Sequence, residues 1–290
     1  MAVHAPIDAA LVEALVAEQF PEWAHLPVRP VELSGNDHRM FRLGDELSVR
    51  LPSAPGYVPQ VAKEQGWLPR LAPVLPLPIP AVHGRGRASA RFPAPWSVYG
   101  WLDGTPLAEA RIEDPVRLAA EVAGFLVALR SAPIEGGPSP GAHSAYRGGP
   151  VSHWADEMSD LLGRVTGRER DRAEGIWREA LDAERTPIRP QWVHGDVAAA
   201  NLLVREGRLA AVLDFGCAAV GDPACDTVPM WTFLPAPARG TFHRELAVDD
   251  ATWARGRGWA LWKGLIMLTN EPPGQAEFAR RVLDHLFDEV

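Results

Sequence analysis

Lysine is almost missing from this sequence. Lys63 and Lys263 stand against 27 arginines, so few side chains can meet a phosphate as a compact point charge. Cysteine is scarce too: Cys217 and Cys225 match neither a metal-ligand pair nor a CxxC redox motif, and read as free thiols of a reducing compartment. No apolar run reaches 18 residues, because the tryptophan-rich stretch 253–268 is broken by Arg255, Arg257 and Lys263, which argues against a membrane span. The N-terminus has no basic leader region and carries Asp8, Glu13 and Glu18 where a signal peptide is apolar, so the expected location is cytoplasmic. There is no GxxxxGK[ST], which disfavours a P-loop enzyme, no complete GxGxxG, no internal repeat and no low-complexity segment.

What is present is the composition of an ordinary globular protein, 47% hydrophobic and 23% charged. At 290 residues it suits one large domain or two lobes sharing a cleft. The charge is uneven: residues 1–102 hold nine acidic and nine basic side chains, so the whole net charge of -8 lies beyond them. An acidic second half disfavours nucleic acid and attracts a cationic small molecule, although a solvated acidic surface accounts for the same charge.

Residues 7–20 place Leu11, Val12, Leu15 and Val16 at helical spacing, with Asp8 as N-cap. From 28 to 51 the pattern changes to short alternating runs separated by SGND and GD, which predicts a three-strand antiparallel meander. Helical spacing returns over 57–71, and Pro73, Pro76, Pro78 and Pro80 make a stiff connector. Two further strands are expected at 81–84 and 96–102, giving about five in a small sheet with one helix laid against it. The GRGRAS at 84–89 is a misplaced glycine match and reads as a hairpin turn. Helices are then expected over 113–131, 151–162, 168–184, 227–233, 241–246, 250–269 and 275–287, and the glycine-rich stretch 136–150 reads as a loop with room for movement. Strands first and helices afterwards predict two lobes.

The chemistry is concentrated in residues 193–226. Apolar strands at 202–204 and 209–213 flank REGR, a hairpin turn. Folding that hairpin brings Asn201 and Asp214 to one end, with Asp196 on the loop entering it. Two carboxylates and an amide oxygen make a hard, oxygen-rich site that suits Mg²⁺ rather than zinc. Gly216 permits a close backbone turn after Asp214.

HGDVAAAN at 194–201 and LDFG at 213–216, in this order and spacing, resemble the catalytic loop and metal motif of the protein kinase-like fold. The HGD form and the GDPACD at 221–226 are similar to the aminoglycoside phosphotransferase family of antibiotic and small-metabolite kinases. The resemblance covers nearly the whole chain as a layout. It implies an α+β, two-lobed fold: a small antiparallel-sheet lobe with the hinge over 1–102, clamping nucleotide, and a mostly helical catalytic and substrate-binding lobe over 103–290. It further implies that Asp196 accepts or orients the proton of a substrate hydroxyl and that Asn201 and Asp214 hold Mg²⁺ on ATP or GTP. His194 braces the loop, Asp226 stabilises it from behind, and Asp222 either does the same or faces the substrate. Where such kinases pair a strand lysine with a helix glutamate, this chain offers Arg50 and Glu64, a departure that a bidentate guanidinium can serve; Lys63 faces another direction. Ser34 and Gly35 lie in the loop over the triphosphate, and Tyr99 to Leu102, Trp101 among them, in the hinge whose backbone meets adenine.

The expected reaction is transfer of a γ-phosphate to a hydroxyl of a small molecule, an aminoglycoside or related antibiotic first. Asp222, Asp249, Asp250 and Glu271 are candidates for its ammonium groups, and Trp231, Trp253, Trp259 and Trp262 for a wall against sugar rings, although tryptophans at helical spacing also build cores. A macrolide or small-metabolite kinase is the alternative, and a non-catalytic nucleotide-binding pseudokinase the reading from another class.

Overall fold

The computed structural model describes residues 7–31, 37–269 and 275–288. The chain divides into two compact units, Met1–Gly104 with Ala211–Gly216, and Thr105–Ala210 with Cys217–Val290. Among the described residues no helix is long and apolar enough to cross a membrane.

In the first unit Asp8 caps α1 (Ala9–Gln19) by accepting the Leu11 N–H at 2.9 Å, which satisfies one of the orphan donors at the helix start. Strands β1 (Val28–Pro30), β2 (His38–Leu43) and β3 (Leu47–Pro52) form the expected meander. After α2 (Val58–Leu71) come β4 (Val82–Gly86) and β5 (Trp96–Gly100), and the five strands pair antiparallel in the order β1-β2-β3-β5-β4. Strand alternation sorts the side chains. Phe41, Val49, Leu51, Trp96 and Val98 join Val12, Leu15 and Val16 of α1 in one apolar core. The opposite face carries Arg50, Ser97 and Tyr99, and it takes α2 through Glu64 and Gln65. Two helices therefore cover the sheet, one on each face, where one was expected.

The glycines of 84–89 do not make a hairpin turn. Gly84 and Gly86 belong to β4, and the chain turns later, where Ser89 N–H donates to Phe92 O at 2.8 Å. A Cβ on Gly86 would lie 2.1 Å from the Trp96 ring, so the missing side chain serves close packing against the partner strand.

The second unit is mostly helical. Its helices are α3 (Pro115–Arg130), α4 (Ala155–Leu162), α5 (Gly167–Ala183), the short α6 (Pro229–Thr232), α7 (Ala236–Leu246), α8 (Asp250–Thr269) and α9 (Gln275–Phe287). The main packings are α3 on α7 and α8 on both α5 and α9. Among them run β7 (Gln191–Val193) paired with β10 (Ala219–Gly221), and β6 (Thr105–Pro106) paired with β8 (Leu202–Arg205), which turns into β9 (Arg208–Val212). Glu206 and Gly207, both at positive φ, form the two-residue turn that matches the right-handed twist of a hairpin. Residues 136–150 are pinned rather than free to move: Val220 N–H donates to Pro138 O at 2.8 Å and Asp222 N–H to Gly148 O at 2.7 Å.

Gly86→Ala is expected to lower stability by about 1–3 kcal/mol through overpacking. Gly124→Ala, where an added Cβ meets nothing within 4 Å on an exposed helix position, is expected to raise it by about 0.5–1 kcal/mol. Urea unfolding of the two variants checks both signs.

Candidate active site

In the first unit the pleat decides which side chains meet. Arg50 lies between two residues that point into the apolar core, so its guanidinium faces α2. There Nη1 donates to Glu64 Oε1 at 2.8 Å and Nη2 to Asp214 Oδ1 at 2.6 Å, while the Tyr99 hydroxyl donates to Glu64 Oε2 at 2.9 Å. Burial by itself would lift the Asp214 carboxyl; the Arg50 guanidinium, helped by His38 and the Gly216 N–H, overrides it and holds the group at about 2. Burial and then Arg50 depress His38 to about 3, so its imidazole is neutral beside the guanidinium. Asp214 adopts a left-handed φ of 60°, a conformation aspartate tolerates better than most side chains. Lys63 turns away from Glu64 and donates to Gly216 O at 2.6 Å. A Cβ on Gly216 would lie 2.7 Å from Gln60 Oε1 and 3.0 Å from Asp214 Oδ1, so a larger residue would have to displace the Gln60 amide.

In the second unit the chain leaves β7 through His194, Gly195 and Asp196. The buried Asp226 carboxylate accepts the N–H of His194 at 2.7 Å and of Gly195 at 2.8 Å, one on each oxygen, which fixes the turn. Gly195 has φ 79°, and a Cβ there would lie 2.6 Å from Cys217 O. His194 is fully buried and its Nδ1 accepts the Asp196 N–H at 3.2 Å, so it orders the loop rather than meeting solvent. Asn201 Nδ2 donates to Asp196 O at 3.0 Å and to Oδ2 at 3.3 Å, and Lys263 Nζ lies 3.6 Å from Oδ1. Asp196 thus stands half-exposed between an amide and an ammonium, in a cleft lined also by Arg147, Cys225, Trp259 and Trp262. Burial, then Asp226 and Asp222, push the Cys225 thiol well above its ordinary range, so that cysteine is no nucleophile.

A model of the phosphotransferase enzyme family (APH) matches residues 28–259. The chain belongs to that family. Comparison with curated proteins yields no match. Among solved structures, the phosphotransferase is similar to the GDP complex of wild-type aminoglycoside 2'-phosphotransferase-IIIa (TM-score 0.76, 17% identity, covering 98% of this chain and 100% of that one). The GDP and kanamycin complex of APH(2")-IIIa gives 0.74 at 18% identity over 96% and 97% of the two chains. The macrolide 2'-phosphotransferase MphH from Brachybacterium faecium gives 0.64 at 22% identity over 97% and 98%. These likenesses show the expected kinase-like α+β fold.

Several expected contacts of the phosphotransferase are redirected. Asp222 is not open to a substrate: its buried carboxylate takes Arg255 Nε at 2.6 Å and Nη2 at 3.1 Å, and the Ala224 N–H at 3.1 Å. Trp231 is fully buried against Trp253, ring centroids 4.9 Å apart, and so belongs to the core. Asp249 caps α8, accepting the Thr252 N–H at 2.6 Å, and the two bonds from Thr252 hold its carboxyl below the usual range. Tyr99 sits in the middle of the sheet opposite Ser48 and Val82, so its backbone is not available to adenine and its hydroxyl braces Glu64. Trp101 N–H donates to Glu46 O at 2.7 Å, and its ring lies 4.3 Å from the Arg42 guanidinium. Ser34, Gly35 and Glu271 lie outside the described residues. Two cleft residues, Arg147 and Lys263, belong to no motif; the only sequence signal for Lys263 is the rarity of lysine.

Arg255→Met leaves Asp222 buried without a cation and is expected to cost about 3–5 kcal/mol. Replacing both partners with apolar residues of similar volume, Arg255→Met with Asp222→Leu, is expected to recover part of that loss, measured by chemical denaturation.

Proposed function

We propose that this phosphotransferase moves the γ-phosphoryl group of ATP or GTP to a hydroxyl of a small molecule, with Asp196 as the base. The observation that carries the reading is the Asp196 carboxylate at the cleft, one oxygen fixed by Asn201 and its loop clamped by Asp226. A positioned carboxylate orients the hydroxyl and takes its proton as the oxygen attacks, a contribution of about 10²–10⁴ in rate.

Asn201 and Asp214 are the proposed protein ligands of a magnesium ion. Their chemistry fits: Asp214 is held ionised by Arg50, and Asn201 spends its amide nitrogen on Asp196, leaving its oxygen as donor. When bound, magnesium neutralises phosphate charge as the phosphoryl group transfers. Arg50, held in place by Glu64 and Asp214, is the proposed phosphate contact, a guanidinium whose direction the two carboxylates fix.

Solved neighbours named for kanamycin, gentamicin and macrolides support a substrate of antibiotic type. Of the acidic side chains expected to hold an aminoglycoside's ammonium groups, however, Asp222 is spent on Arg255 and Asp249 on the α8 cap, so the proposal extends to small hydroxylated metabolites. A nucleotide-binding pseudokinase is the other reading, and the presence of Asp196, Asn201 and Asp214 together speaks against it.

A coupled nucleotide-turnover panel over aminoglycosides, macrolides and hydroxylated metabolites tests the activity. Asp196→Asn is expected to lower kcat by about 10²–10⁴ with an unchanged melting temperature. Wild-type turnover in that variant would overturn the mechanism, and turnover with no compound would favour the pseudokinase.

A further inference from the structure

We propose that the cleft beside Asp196 binds a hydroxyl compound bearing an oxyanion, a carboxylate or a phosphate, with Arg147 and the Trp259 indole N–H as its donors. The inference rests on the phosphotransferase reading for the hydroxyl at Asp196, and on the cleft's own side chains for the anion.

Two buried N–H groups in the cleft wall have no acceptor. Nη1 of Arg147 and Nε1 of Trp259 are both shielded from solvent and find no hydrogen-bond partner among the described residues. An orphan donor costs about 1–3 kcal/mol, so two in one wall mark a place where an acceptor belongs. The neighbouring Trp262 shows the contrast: its Nε1 donates to Glu157 Oε2 at 2.6 Å.

Arg147 is built into place. Its guanidinium lies 4.5 Å from the Trp262 ring and 5.1 Å from the Trp259 ring, and it forms no ion pair among the described residues. The backbone before it is strained, with φ 47° at Ala145 and 56° at Tyr146. Ser144 is fully buried, accepts the Arg147 N–H at its carbonyl and ties its own hydroxyl back to Gly141 O. The loop that reads as mobile in sequence is thus a bracket for one arginine.

The charge has the same sense. Arg147 and Lys263 are both cations of the cleft wall, and Asp196 is its one carboxylate among the described residues, already faced by Lys263. Polycationic ligands meet two like charges there. An oxyanion meets two cations and an indole N–H.

Calorimetric titration of the full chain with glucuronate, glucose and glucosamine tests this, since the three pyranoses share hydroxyls and differ in charge. Glucuronate is expected to bind at least about tenfold tighter than glucose, with glucosamine the weakest, as a charge-assisted hydrogen bond requires. Arg147→Met should remove that advantage and Arg147→Lys should keep part of it. If Arg147→Met does not fold, Trp259→Phe, which deletes the N–H and keeps most of the ring's bulk, should lower the advantage. No binding, no discrimination, a preference for glucosamine, or an advantage unchanged in every folded variant overturns the proposal. Charge-selective glucuronate binding in a chain that turns over no substrate would support the anion site while sinking the catalytic reading.

Discussion

A guanidinium buried against a sheet must find anions or the sheet is destabilised, and in this protein Arg50 finds two. Glu64 comes from the neighbouring helix and Asp214 from a segment 164 residues further along the chain. That pair of contacts, with Lys63 on the Gly216 carbonyl, explains why Ala211–Gly216 belongs to the first compact unit although the residues on either side belong to the second. Breaking either ion contact strands a charge in a low-dielectric face, so the geometry of Asp214 is over-determined. The same contacts hold the carboxylate ionised.

The second unit solves the reverse problem, a buried anion held chiefly by backbone N–H groups. Asp226 has backbone N–H groups on both oxygens, which supply the hydrogen bonds that burial would otherwise forfeit. Asp222, a few residues away, is satisfied instead by a bidentate arginine. The carboxylates of this short stretch are therefore divided by their partners. Those that are saturated hold the fold, and Asp196 keeps an exposed face. Lysine divides in a parallel way: one contacts the turn after Asp214 and the other contacts Asp196.

Rigidity around the cleft comes from glycine and small residues rather than from bulk. Gly195 passes within 2.6 Å of a carbonyl at its missing Cβ, and the left-handed residues before Arg147 are held by a buried serine. These positions cost backbone freedom and return side chains whose directions are set before any ligand arrives.

The sequence by itself determined most element types and the family, and it pointed to a candidate reactive set. Period-two runs gave way to period-3.6 runs, the capping Asp8 sat one residue ahead of its helix, and the spacing of Asp196, Asn201 and Asp214 pointed to a kinase-like loop and metal motif. Those signals are local, so they survive in one dimension. Tertiary structure decided which charges are left over. Asp222, Trp231 and Asp249 look the same in sequence whether they face a substrate or a neighbour, and only folding showed Arg255, Trp253 and Thr252 beside them. Gly86 carried part of a turn signal but answers to a tryptophan ten residues on. Arg147, Lys263 and Trp259 come from a loop and a helix that no spacing rule joins, and their convergence on Asp196 exists only once α8 packs in the second unit. Pairing is a property of three-dimensional neighbours, which is why the motifs could be read along the chain and the character of the cleft could not.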